Sequence, residues 1–167
     1  RIRSLLALPD EMMIAYQCEP KMDGLAIELA YRDGLLEQAS TRGNGVVGED
    51  VTANIRTIRT IPLRLSGSGF PELLEVRGEV YLPLVAFQRL NSEREENGEA
   101  PFANPRNAAA GSIRQLDPKV ASRRPLAMVC YGVGVVETEA RTQTELMAQL
   151  AGWGLPVSDQ ARQVSGI

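Results

Sequence analysis

The chain reads as an α+β protein with antiparallel sheets flanked by helices, and three observations predict this. An Asp-Gly pair (Asp33-Gly34) joins two strand-like apolar runs, the strongest short signal for a hairpin and hence for antiparallel pairing. Strand-like and helix-like stretches alternate irregularly rather than in a βαβ rhythm. At 167 residues, with 44% hydrophobic and 23% charged residues, the chain is long enough to enclose one core.

Taken in order, residues 25–31 (LAIELAY) alternate and lead through Arg32-Asp33-Gly34 into LLEQAS. TRGNGVVGED follows (41–50), containing a literal G-x-G-x-x-G at Gly43, Gly45 and Gly48. That fingerprint belongs to a parallel βαβ unit, whereas here it ends the return arm of a hairpin. A Rossmann fold is therefore not expected. The loop reads either as a plain turn or as flexible backbone offering N–H groups to a phosphate. A short helix is expected over 49–57, then IPLRL and an SGSGFP turn. LLEVRGEVYLP has strong β character. A helix from Leu84 to Asn97 should turn Leu84, Val85, Phe87 and Leu90 inward, with Gly98 just past its end. Residues 107–116 read as helix ended by Asp117-Pro118. Residues 126–136 (LAMVCYGVGVV) read as a buried strand, and 142–151 as a last helix capped at Thr142 or Thr144.

Composition narrows the chemistry. There is no histidine, so catalytic triads and most zinc enzymes are excluded, and reactive groups must come from Lys, Arg, Asp, Glu, Ser, Thr, Tyr or Cys. Two cysteines, Cys18 and Cys130, are too few for a zinc site and are expected as buried reduced thiols. No apolar run approaches the ~18 residues of a membrane span, and the N-terminus lacks the pattern of a signal peptide. The net charge is −3. Residues 93–99 carry four acids against one Arg, while 102–124 carry five basic residues against Asp117 alone. Such a local basic strip suits phosphate or nucleic acid, or is simply a solvated face.

The stretch with most chemical content is Glu19-Pro-Lys-Met-Asp-Gly-Leu-Ala. From the residues alone, Lys21 is either a nucleophile at the head of a strand or a surface lysine in a salt bridge. An amine attacks phosphorus only when deprotonated, a form favoured by desolvation and neighbouring cations. An adjacent Asp disfavours it, so Asp23 would orient the amine or hold a metal ion.

EPKMDGLAIEL resembles the K-x-D-G motif of covalent nucleotidyltransferases, the DNA ligases, RNA ligases and capping enzymes. Together with STRGNGVVGEDVTANIRTI, LEVRGEVYLP, FANPRNAAAGSIRQLDP and CYGVG, it is similar to the adenylation domain of bacterial NAD+-dependent DNA ligases, across nearly the whole chain. The resemblance implies the covalent nucleotidyltransferase fold shared by DNA ligases and mRNA capping enzymes. It also implies specific roles. Lys21 would attack the adenylyl phosphorus of NAD+ and release nicotinamide mononucleotide. Glu19 would accept from the adenine amino group, Tyr131 would stack on the base, and Glu79 would bind the ribose or sit near the metal. Arg42 would lie over ribose and phosphate, and Arg106 and Arg114 would face phosphates of nicked DNA or of the adenylate. AMP would then pass to the 5′-phosphate at a nick and be displaced by the 3′-hydroxyl.

NAD+ with Mg2+ or Mn2+ is implied, the metal ligands being unassigned, and Zn2+ only in a domain outside this chain. Nicked double-stranded DNA is the implied partner of a cytoplasmic monomer, with no membrane. Two later lysine motifs of the family, one of the form D-G-x-V-x-K, are not found. Residues 1–167 are thus expected to be an adenylation domain incomplete at its C-terminus and poorly active alone. An ATP- or GTP-dependent nucleotidyltransferase and a non-catalytic phosphate-binding module are the alternatives.

Overall fold

The computed structural model of the chain describes residues 2–45, 47–134 and 138–166. Its centre is a four-stranded antiparallel sheet in the order β3-β2-β4-β5, formed by β2 (Leu25–Arg32), β3 (Leu35–Thr41), β4 (Leu73–Tyr81) and β5 (Ala127–Val133). The expected hairpin joins β2 and β3. Asp33 and Gly34 take φ of 49° and 75°, the paired positive values that a two-residue turn matching the strand twist requires.

Period-two alternation gives the sheet two unlike faces. Ile27, Leu29 and Tyr31 of β2, Leu74, Val76 and Val80 of β4, and Met128 and Cys130 of β5 are all buried on one face. Between them lie Ala26, Glu28, Arg77, Glu79, Val129 and Tyr131, which share the opposite face. The register sets Ala26 against Glu79 and Glu79 against Val129. One face is core; the other carries polar chemistry.

Small residues let a helix approach the core face. In α4 (Pro105–Ile113), Ala108, Ala109, Ser112 and Ile113 are buried, and two adjacent alanines with no exposed surface leave room for close helix–sheet packing. Asn104 caps α4 by accepting from the Asn107 amide at 2.7 Å. The segment before it is clamped to α3 (Leu84–Glu96) by two Asn91 bonds, Nδ2 to the Phe102 carbonyl and Oδ1 from the Phe102 amide, both 2.9 Å. Arg94 lies over the Phe102 ring at 4.6 Å. Farther along α4, buried Asn54 of α2 (Thr52–Ile55) donates to the carbonyls of Ile113 and Gln115 at 2.6 and 2.7 Å.

Several elements differ from the sequence reading. The helix expected over 49–57 shrinks to α2, because Asp50 bridges to Ser40 and its carboxylate accepts from the Thr52 amide and hydroxyl. Leu84 and Val85 do not face inward: they are 69% and 79% exposed in the first turn after Pro83, and α3 buries itself through Leu90 with Phe87 half-buried. Asp117 opens a helix as well as ending one. Its side chain accepts from the Lys119 amide and caps α5 (Pro118–Ser122). The strand expected over 126–136 runs to Val133, and residues 135 and 136 of it lie outside the described residues. Cys130 is buried as expected; Cys18 is exposed. The remaining elements are α1 (Ile2–Leu5), α6 (Gln143–Gly152) and a two-stranded sheet of β1 (Ala15–Cys18) with β6 (Arg162–Ser165), none of the last two foreseen.

Candidate functional site

A cleft of about 450 Å3 opens on the polar face of the sheet, and its walls include Glu19, Lys21, Arg42, Glu79, Arg106 and Tyr131. The size lies within the usual range for small-ligand sites. Six side chains spread over 113 positions of sequence converge there because five elements meet at one place. β1 delivers the loop carrying Glu19 and Lys21, β3 ends at Arg42, β4 presents Glu79, β5 presents Tyr131, and the first turn of α4 supplies Arg106.

Gly24 explains the last letter of the K-x-D-G stretch. A Cβ at that position would collide with the Val80 carbonyl of β4, so only glycine lets the loop lie against the strand. Its amide then donates to Glu79 Oε1 at 3.2 Å, pinning the lysine loop to the carboxylate across the cleft.

Glu79 is the electrostatic centre. Its pKa lies above the ordinary carboxylate value chiefly because burial disfavours the charge. The Gly24 amide, Lys21 and Arg106 pull it down, and Asp23 pushes it up. These couplings place Lys21, Arg106 and Asp23 around one carboxylate. Tyr131 is 40% exposed; burial is the first cause of its raised pKa, Glu79 adds to it, and Arg42 and Arg77 oppose it. Lys21 is exposed at the cleft wall beside Arg42 and Glu79 rather than enclosed.

Four amides of the glycine loop and its end are bonded within this segment. The amides of Asn44, Gly45, Val47 and Glu49 bond to the Val47 carbonyl, the Arg42 carbonyl, Asn44 Oδ1 and Thr41 Oγ1. Of the described loop residues, Arg42 lines the cleft. Arg114, by contrast, lies outside the cleft, at the far end of α4, with Nε on Glu49 Oε2 at 2.8 Å. Asp23 couples to Glu79 without lining the cavity.

Sequence reasoning missed Gln143. Its Nε2 donates to Glu19 Oε1 at 3.1 Å and to the Tyr131 carbonyl at 2.9 Å, tying together two walls of the cleft. The Thr-x-x-Glu capping pattern at 142–145 locates it at the first position of α6, but nothing in that pattern says where the helix points.

The fold and cleft define an α+β nucleotidyltransferase-type adenylation domain. The chain matches the family of the NAD-dependent DNA ligase adenylation domain over residues 1–167, and it belongs to that family. It is 81% identical over 167 residues to a DNA ligase of Trichlorobacter lovleyi, covering 100% of this chain and 24% of that protein. Against a DNA ligase of Geobacter metallireducens it is 60% identical over 168 residues, covering 100% and 25%. Against one of Hahella chejuensis it is 51% identical over 167 residues, covering 99% and 24%. The chain thus spans about a quarter of the length of the curated relatives it matches.

Proposed function

We propose that this domain transfers the adenylyl group of NAD+ to itself as the first step of sealing nicked DNA. The observation that carries the reading is the single cleft in which Lys21, Arg42, Glu79 and Arg106 meet, in a chain of the NAD-dependent ligase family. Lys21 Nζ forms a bond to the adenylyl phosphorus as the bond to the nicotinamide mononucleotide phosphate breaks. That phosphate leaves with the electron pair, and the amine proton passes to solvent.

Phosphoryl transfer of this kind is mostly positioning and charge neutralisation. Arg42 and Arg106, as planar forks that stay charged, bind the phosphate oxygens and offset the charge that develops on them. Tyr131 stacks on the base, Glu19 accepts from its amino group, and Glu79 holds the ribose hydroxyls. Asp23 orients Lys21. AMP then passes to the 5′-phosphate of a nick and is displaced by the 3′-hydroxyl, which fits a role in replication and repair of DNA by a cytoplasmic monomer.

Asp23 and Glu79 suit Mg2+ or Mn2+ only together with substrate phosphates, the usual arrangement for such ions. Among the described residues no group of three His, Cys, Asp or Glu could hold a metal unaided. When bound there, the ion supplies further neutralisation of phosphate charge. No described helix is long and apolar enough to cross a membrane.

The test is incubation of the full-length protein with NAD+ or ATP labelled in the adenylate phosphate, followed by denaturing electrophoresis. Label from NAD+, absent from ATP and lost in Lys21→Ala, supports the reading. Label from ATP alone, or NAD+ label that survives Lys21→Ala, contradicts it.

A further inference from the structure

The head of α6 is built into the cleft more firmly than a helix start requires. Thr142 caps it by accepting from the Glu145 amide at 3.2 Å, and Glu145 Oε2 accepts from the amides of Arg141 and Thr142 at 2.7 and 3.3 Å. Thr144 Oγ1 donates to Gln17 Oε1 of β1 at 2.8 Å. Between these two anchors sits Gln143, half-buried, its amide bridging Glu19 and the Tyr131 carbonyl.

The chemistry of that bridge admits one orientation. A glutamine amide offers two N–H donors from its nitrogen and only acceptors at its oxygen. Both groups it meets, a carboxylate and a main-chain carbonyl, are acceptors. A flipped amide would set oxygen against two oxygens, so the nitrogen must face them. Both donors are then engaged, and one carboxylate oxygen of Glu19 is fixed while the other is left to accept from a ligand.

We propose that Gln143 is a positioning residue for base selection: by holding Glu19 against the strand that carries Tyr131, it makes the cleft choose a 6-amino purine over a 6-oxo purine. This rests on the reading that Glu19 and Tyr131 receive the donor base. A 6-amino group donates to the aligned carboxylate; a 6-oxo group presents an acceptor to it and is rejected. A Glu19 released from Gln143 swings on its free torsions and discriminates less. The same amide ties the residue that reads the base edge to the strand whose tyrosine covers its face.

The experiment uses the full-length protein and compares formation of the covalent adduct from NAD+ and from nicotinamide hypoxanthine dinucleotide, which differs only at the purine 6-position. In Gln143→Ala the ratio of kcat/KM values, NAD+ over the hypoxanthine donor, falls about tenfold, through a raised KM for NAD+ with little change in kcat. Gln143→Glu separates this role from a structural one. An acid at the first position of a helix favours the helix, so the fold is kept or strengthened, yet the new carboxylate repels Glu19. The ratio falls further at neutral pH, where both carboxylates are charged. Thermal midpoints of both variants check the fold.

An unchanged ratio in both variants, alongside a reduced ratio in Glu19→Ala, overturns the role of Gln143 and leaves the proposed function standing. An unchanged ratio in Glu19→Ala overturns both the base-reading role of Glu19 and the proposal built on it.

Discussion

Glu79 shows how a carboxylate in the cleft costs stability. Burial raises its pKa above the ordinary carboxylate value, against the pull of the Gly24 amide, Lys21 and Arg106. A raised acid binds more protons folded than unfolded, so stability falls as pH rises between the unfolded and the folded value. Below the unfolded value the contribution is fully present; above the folded value it is lost. Glu79→Gln removes that loss. The variant domain is expected to melt higher than wild type at pH 7, with the gap closing toward pH 4, while covalent adenylate formation drops about tenfold or more. Melting curves across that pH range, with labelling assays in parallel, check both halves. The two thiols give a second prediction. Burial pushes the Cys130 thiol up to about 12, so it stays protonated and inert, whereas Cys18 is exposed. Alkylation of the native protein followed by peptide mapping should modify Cys18 alone; modification of Cys130 without unfolding would contradict the packing.

Among the elements, α4 is the one most constrained by its neighbours. Ala108 and Ala109 have no exposed surface and belong to the core. Ala109→Leu adds bulk where the helix meets the sheet and should cost about 1–3 kcal/mol, read as a lower denaturant midpoint with an unchanged slope. The ends of α4 serve different purposes. Arg106, near its start, lines the cleft, while Arg114, at its end, pairs with exposed Glu49. An exposed pair of this kind is weak and can yield to a phosphate. Arg114→Ala should therefore leave adduct formation intact, weaken binding of nicked DNA, and lower the slope of log affinity against log salt by about one. Loss of adduct formation in that variant would place Arg114 in the nucleotide site instead.

At the scale of the whole molecule, the sheet and the cleft were largely legible in the sequence, for physical reasons that also explain the rest. The β2–β3 hairpin followed from Asp33-Gly34, and the strands from alternation that separates Ile27, Leu29 and Tyr31 from Ala26 and Glu28. The resemblance brought six of the eight named site residues to the walls of one cavity. Arg114 and Asp23 do not line that cavity; motif order alone says nothing of where the helix before Arg114 ends in space. β1 and β6 escaped notice because AYQC and RQVS are four residues each and neither holds a buried residue, leaving no periodic burial to read. Leu84 and Val85 misled because helical spacing gives a face but not the point at which the helix reaches its neighbour. Gln143 was invisible because its partners, Glu19 and Tyr131, are 124 and 12 positions away.

The central claim is that one lysine amine in this cleft becomes bonded to the phosphorus of AMP. Its most direct test is peptide mapping by mass spectrometry after the full-length protein has reacted with NAD+. The account predicts AMP on Lys21, held by an acid-labile, base-stable bond of the phosphoramidate type and removed by excess nicotinamide mononucleotide. AMP on any other residue, or a fully reacted protein whose Lys21 peptide is unmodified, would contradict it.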